Sequence, residues 1–402
     1  ECSRVPQLGE MSEKKALASP RACARAYPAH VEKSIIFVWP WGGDPPPPAE
    51  DAAEGNCMTP RSLLSHIAPL AEGEGSHKTY TRDLPYGYDT LLENLVDASH
   101  VPFAHHGLQA RPPSQISANL CPYYPIQIRN DLTTYYGTRD DAIPINVSES
   151  IHVSLPGFEY ELQDRSGGRL RSGTASFHSP YLLSYDMDVL PKEDEEGGSV
   201  RPFRLNVVCL PISPGRSRAI IYGPGSAAPP ASNTTEPPPT PQKKSLFSVL
   251  FKLLPTWLSH IFSSRFLDSD LAFLHFQEQM IQTRGRLDYF LPAPADRPIS
   301  AMRKWLGEHT PSLGPLPPPI TERSRLLDRW EQHVSQCVHC QKALEGIQTW
   351  RKRALISLML SLLGSQWLVM RLVAALSVLL LGILKLVEDQ FYWQDFKHYT
   401  NH

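Results

Sequence analysis

The sequence predicts an α+β fold carrying an apolar helical tail. Short runs rich in β-branched and aromatic residues, bounded by Gly, Pro, Asn or Asp, crowd the middle of the 402-residue chain. Segments of helical period flank them, and Ala354 to Val387 is almost continuously apolar. Strands in the middle flanked by helices suggest an α+β domain.

The strands are expected at Ser34–Trp39, Lys78–Asp83, Pro125–Asn130, Ser150–Leu155, Phe158–Gln163, Gly173–His178, Phe203–Leu210 and Arg218–Tyr222. Helices are expected at Thr90–His106, Leu246–Ser263 with a break at Pro255, Asp268–Thr283 and Glu322–Trp350. The 39 prolines concentrate in Asp44–Asn56, Gly223–Gln242 and Ser312–Pro319, which read as loops and insertions because proline removes a donor and fixes φ.

The tail is too long for one membrane crossing, since about 20 apolar residues span a bilayer. Gly364-Ser365-Gln366 and Arg371 split it, leaving a first segment of about ten residues that is marginal for crossing. Arg351-Lys352-Arg353 supplies a positive flank. A membrane hairpin over residues 351–388, spanning or embedded, is the expectation, with 389–402 as a short tail. A buried helical hairpin is the bland alternative, disfavoured by the lack of charge from Ala354 to Met370.

A formal net charge of −2 gives no polybasic field, so nucleic acid is excluded as a partner. Seven cysteines, mostly scattered, do not form a secreted disulfide framework. The chain opens at Glu1-Cys2 with no initiating Met and is read as a fragment or processed piece.

The chemistry concentrates in Glu93 to His106. His100 and His105 stand within about one and a half helical turns, with Asp97 three residues ahead of the first. An irregular helix end can aim both imidazoles at one ion. Two histidines and a distant carboxylate, leaving coordination positions open, are the set used by non-haem Fe(II) oxygenases. A zinc site, or two histidines in a polar cleft, would show the same spacing. Further along, Cys337-Val338-His339-Cys340 falls inside a predicted helix. The Cys-x2-Cys pair reads as a dithiol switch, half of a metal site, or two ordinary thiols. His333 extends a zinc-like spacing, but no fourth ligand follows in sequence.

The run Asn94, Asp97, His100, His105 resembles the Asn-x2-Asp-x2-His-x4-His motif of Rieske-type oxygenases, and within them the pheophorbide a oxygenase group of chloroplasts. Other pieces follow in the same order: Ser19-Pro20-Arg21-Ala22-Cys23-Ala24, Ile36-Phe37-Val38-Trp39-Pro40, Leu267-Asp268-Ser269-Asp270 with Gln277-Glu278, Leu326-Leu327-Asp328-Arg329 with the cysteine pair, and a tail ending in Asp395 and His398.

This resemblance implies a helix-grip, START-like catalytic domain over residues 57–350, interrupted by the Pro-rich insertion 223–242. Residues 1–42 would be the tail of a Rieske domain. A Rieske [2Fe–2S] centre needs two Cys and two His; no paired Cys-x-His and Cys-x2-His motif occurs here, so the chain alone should bind no cluster. The resemblance implies mononuclear Fe(II) held by His100, His105 and Asp270, with Asp268 the near alternative. It places Asp97 between the iron histidine and the Rieske histidine of a neighbouring subunit, and Asn94 near the iron. One of Asp268 and Asp270 is expected to cap a helix, and His106 is in the wrong register to ligate. Cys337 and Cys340 become a redox-regulatory pair open to thioredoxin. The implied activity is a ferredoxin-dependent monooxygenase that uses O2 on pheophorbide a or a chlorophyllide-like tetrapyrrole, as a homotrimer in the thylakoid or inner-envelope membrane. A membrane-bound redox sensor or import-associated Rieske protein is the alternative.

Overall fold

The computed structural model describes residues 29–32, 35–38, 79–105, 142–165, 170–191, 200–222, 254–285, 289–310, 314–364 and 366–395, besides positions 12 and 14. The predicted strand at Pro125–Asn130, His106, His398, and the Pro-rich runs 44–56 and 223–242 lie outside these residues, as does most of the expected Rieske tail. The chain divides into two compact units, residues 1–72 and 73–402. In the first, β1 (Ala29–Glu32) pairs antiparallel with β2 (Ile35–Val38), Ala29 opposite Val38.

The second unit is α+β, as the sequence predicts. It is built on a seven-stranded sheet of β3 (Thr79–Leu84), β4 (Asn146–Val147), β5 (Gly157–Asp164), β6 (Arg171–His178), β7 (Leu182–Val189), β8 (Arg201–Ser213) and β9 (Arg216–Tyr222). The order is β3-β9-β8-β7-β6-β5-β4, with every neighbouring pair antiparallel. β5 shows why these segments are strands: Phe158, Tyr160 and Leu162 are buried while Glu159, Glu161 and Gln163 are exposed. That period-2 pattern covers one face of a sheet with core and leaves the other wet.

Helix α1 (Tyr88–Val96) follows β3 directly, and α2 (Val101–Ala104) follows α1 after a 3₁₀ turn at Ala98–His100. The long α3 (Thr256–Arg284) runs beside β3, where the Tyr80 hydroxyl meets Ser264 Oγ at 2.9 Å and His275 Nδ1 meets the Pro85 carbonyl at 2.5 Å. Leu267, Leu271 and Leu274 of α3 share one core with Leu91, Leu92 and Val96 of α1 and with the inner sheet face. α4 (Arg297–His309) packs on the same core through Met302 and Trp305. Short α5 (Arg323–Leu326) and α6 (Arg329–Gln332) lead to α7 (Val338–Leu363) and α8 (Leu368–Asp389). The last two pack antiparallel: Gln348 reaches Glu388 at 3.3 Å, and Ser357 meets Ser377 at 3.2 Å.

Several sequence expectations change. Thr90–His106 is not one helix, because the Asp97 carboxylate takes the N–H groups of Ser99 (2.9 Å) and His100 (3.3 Å), which competes with helical continuation. Of the helix expected at Leu246–Ser263, residues 246–253 lie outside the described residues; the rest runs without a break into the one expected at Asp268–Thr283, with Pro255 at the N-cap, where a missing N–H costs nothing. Asp268 and Asp270 therefore lie mid-helix, and neither is a cap. Glu322–Trp350 is broken into α5, α6, a 3₁₀ turn and α7. Ser150–Leu155 makes a single bridge, Ser154 to Gly157, and no strand. β4, β7 and α4 were not foreseen. Of the two tail helices, α8 alone among the described residues is long and apolar enough to cross a membrane.

Candidate metal centre

The break at Asp97 builds the site. With α1 ended, the 3₁₀ turn carries His100 and the end of α2 carries His105, so that both rings face α3, where Asp270 lies. His105 Nε2 is 3.3 Å and His100 Nε2 is 3.9 Å from Asp270 Oδ2. One donor atom from each of the three lies within 4.8 Å of the others. His105 and Asp270 are buried; His100 is half-buried.

The opposite nitrogen of each ring is held in place. His105 Nδ1 lies 2.6 Å from Ser269 Oγ, and that hydroxyl donates its proton to the Phe266 carbonyl at 2.6 Å. Ser269 must then accept from His105 Nδ1–H, which leaves the Nε2 lone pair turned toward Asp270. His100 Nδ1–H donates to the Asp97 carbonyl, with the same consequence. Ring N–H groups fixed on oxygen acceptors are the usual support of ligating histidines. Phe266 stacks on His105, with ring centroids 3.6 Å apart. Asn94 hydrogen-bonds Asp270. Burial pushes the Asp270 carboxyl up to about 6; His100 and the Asn94 bond pull it down, while the Asp97 charge acts with burial.

The donor set fits a ferrous ion. Bonds of about 2.1 Å at right angles would set neighbouring donors roughly 3 Å apart. The 3.3 Å and 3.9 Å separations need closure of less than about 1 Å. Two nitrogens and one oxygen would supply three ligands to such an ion and leave its remaining coordination positions to other groups.

Asp268, two residues away, has a different job. Its Oδ1 accepts from Arg82 at 2.6 Å, and its Oδ2 from two nitrogens of Arg329 at 2.9 Å and 2.6 Å. Arg82 is fully buried and also bonds the Ser264 carbonyl and Gln332. This knot ties β3, α3 and α6 together beneath the site. Asp328 caps α6 by accepting from Trp330 N and Glu331 N.

Gln277 and Glu278 brace α3 against α1. Glu278 Oε1 accepts from Gly87 N at 2.8 Å and so serves as the cap that the start of α1 lacks. A Cβ on Gly87 would sit 2.3 Å from that oxygen, which explains the glycine. Gln277 and Tyr289 both donate to Glu93 Oε1, at 3.4 Å and 2.8 Å, and Arg303 of α4 pairs with the other oxygen of Glu93.

Cys337 and Cys340 lie elsewhere, beneath the root of α7. Cys337 is the N-cap of that helix and not an interior residue. Both sulfurs approach His260 Nδ1, at 3.4 Å and 3.5 Å, and His333 Nε2 lies 3.3 Å from Cys340 Sγ. The sequence reading missed His260, Ser269 and Arg82. No spacing rule links a histidine of α3 to a motif more than 70 residues later, and a serine accepting from a ring N–H leaves no pattern in sequence.

A family model described as pheophorbide a oxygenase matches residues 177–288, a stretch that includes Asp268 and Asp270 but not the histidine pair. The chain is 29% identical over 353 residues to protochlorophyllide-dependent translocon component 52, chloroplastic, of Arabidopsis thaliana, covering 80% of this chain and 56% of that protein. It is 28% identical over 381 residues to pheophorbide a oxygenase, chloroplastic, of the same plant, covering 87% and 59%. It is 26% identical over 347 residues to flavonoid 8-hydroxylase 2, chloroplastic, of Ocimum basilicum, covering 82% and 56%. The chain thus spans somewhat over half the length of these relatives. The resemblance to the pheophorbide a oxygenase group holds along most of it.

Proposed function

We propose, with likeness to the pheophorbide a oxygenase group as the premise, that this chain is the catalytic part of a ferredoxin-dependent Rieske-type monooxygenase. Its substrate would be a chlorophyll-derived tetrapyrrole, pheophorbide a or a chlorophyllide. The observation that carries the reading is the meeting of His100, His105 and Asp270 with both imidazoles fixed in the ligating tautomer. A pair of histidines in a merely polar cleft has no need of that support.

In this reading His100, His105 and Asp270 hold Fe(II), whose chemistry when bound is the activation of O2 beside a substrate. The chain's own residues do the positioning. Ser269 and the Asp97 carbonyl set the ring planes, and Asn94 holds the Asp270 carboxylate. Asp97 uses Oδ1 to cap the 3₁₀ turn. We assign its second oxygen to the Rieske histidine of a neighbouring subunit, in a homotrimer, where it would couple the two centres. The Rieske [2Fe–2S] cluster would be supplied by the longer protein. The antiparallel sheet with α3 across it is read as the helix-grip domain, and α7 with α8 as a chloroplast membrane anchor.

A second reading is an import-associated redox component with little turnover, favoured by the likeness to a translocon component. The test is to supply the full-length protein with ferredoxin, O2 and, in turn, pheophorbide a, a chlorophyllide and a flavone. An oxygenated tetrapyrrole that is lost in His105→Ala supports the first reading. Product from the flavone alone moves the substrate class, and no product from any of the three favours the second reading.

A further inference from the structure

We propose that His260, His333, Cys337 and Cys340 form a second metal site, a closed Cys2His2 tetrahedron for Zn2+, separate from the candidate iron centre. One donor atom from each residue lies within 4.8 Å of all the others. The separations are close to those of a filled tetrahedron. Zinc bonds of about 2.0–2.1 Å to nitrogen and 2.3 Å to sulfur imply donor edges of roughly 3.3 Å for N to N and 3.6 Å for N to S. The structure has 3.2 Å between His333 Nε2 and His260 Nδ1, and 3.4, 3.5 and 3.3 Å for its three nitrogen–sulfur contacts.

The surroundings suit a structural ion. His333 Nδ1–H donates to the Thr81 carbonyl at 2.6 Å, which turns its Nε2 lone pair into the cluster. His260 Nδ1, His333 Nε2 and the two sulfurs converge, so that donor atoms from all four side chains face one another. His260, His333 and Cys340 are buried against Ile261, Val334, Leu344 and Phe391, with Cys337 less so. All four positions are protein ligands, so no site is left for water or substrate; this is the closed pattern of structural zinc. Binding would release the two thiol protons, and two thiolates with two neutral imidazoles leave the site uncharged. A Rieske cluster does not fit here, because it places its cysteines and histidines on different irons. Sulfur and nitrogen 3.3–3.5 Å apart belong on one ion. The ion would join the start of α3, which presents Asp270 nearly three turns later, to the root of the apolar helix pair.

The experiment uses the full chain purified without chelator, with zinc and iron measured together. About one zinc per chain is expected, lost in His260→Gln and in Cys340→Ser but kept in Asp270→Ala. In the wild-type protein both thiols should resist a thiol reagent until a zinc chelator is added, and Co2+ exchange should give thiolate-to-cobalt absorption. This wild-type arm decides the matter if the variants do not fold. Absence of zinc, with Cys337 and Cys340 reacting equally before and after chelation or closing reversibly into a disulfide, would overturn the proposal in favour of a dithiol switch. The outcome does not depend on the oxygenase reading, since zinc content, thiol protection and cobalt exchange at these four residues require neither bound iron nor turnover.

Discussion

Asp268 and Asp270 are two residues apart on one helix, so their side chains leave it about 200° apart and meet different neighbours. Asp270 meets two imidazoles; Asp268 meets two guanidinium groups. Substitution should separate the roles. Asp270→Ala is expected to strip iron from the purified protein while shifting the denaturation midpoint little. Asp268→Asn should instead cost roughly 3–5 kcal/mol of stability, because two buried arginines lose their shared charge. Iron analysis and urea titration on both variants check this, and equal iron loss in both would sink the distinction. Glu278 gives a pH signature. Burial lifts its carboxyl from the ordinary 4.5 to about 7, although the Gly87 N–H pulls the other way. Between those values the folded protein keeps a proton that the unfolded chain has released, so stability from this group is full below 4.5 and is lost as pH rises through 7. Glu278→Gln should flatten the fall in urea midpoint between about pH 4.5 and 7; an unchanged slope would mean that another group is responsible. At this scale the histidine pair was readable from its spacing. Asp270 came from family likeness, and His260 from neither, because it meets its partners only through the tertiary fold.

Elements were readable where one principle acted alone. β-Branched and aromatic enrichment bounded by Gly, Pro, Asn or Asp marked β5 and β6 as strands, whereas in β7 the exposed Asp186 and Asp188 weaken that signal with charge. α3 was cut in two at a place where Ser264, Asp268, Ser269 and Asp270 are buried together, a polar run that resembles a loop until its partners are known. The end of α1 at Asp97 was missed because a carboxylate can cap a helix or sit within one, and only the bonds to Ser99 and His100 decide. What orients α1 is its bracing by α3 and α4, chiefly at Glu93, which takes Tyr289 on one oxygen and Arg303 on the other. A double-mutant cycle of Glu93→Gln and Arg303→Met should therefore return a coupling of about 1–3 kcal/mol. The single variants should also weaken iron retention, since α1 carries Asn94 and leads into the histidines. Additive effects in urea denaturation would show that α1 is positioned by its apolar face alone.

At the scale of the molecule, the sheet core and the helix pair turn their large apolar side chains in opposite directions. In the sheet unit the large apolar side chains turn inward around one core. On α7 and α8 they turn outward: Leu360, Leu363, Leu368, Val369, Leu376 and Leu379 are each more than half exposed. Their polar groups face each other instead, with Ser357 on Ser377 and Arg351 on Glu388. An apolar exterior around internally paired polar groups is the inverse of a water-soluble pair and suits a lipid surround. Full-length chain mixed with liposomes is therefore expected to float with the lipid in a density gradient, at high salt as well as low, since apolar burial does not depend on ion pairing. Leu376→Lys with Leu379→Lys places two charges on the outer face of α8, each costing about 2.5–3.5 kcal/mol near the bilayer centre. That variant should stay with the soluble fraction while keeping its iron and its sheet. If it floats like wild type, the outer face of α8 is covered by protein and not by lipid.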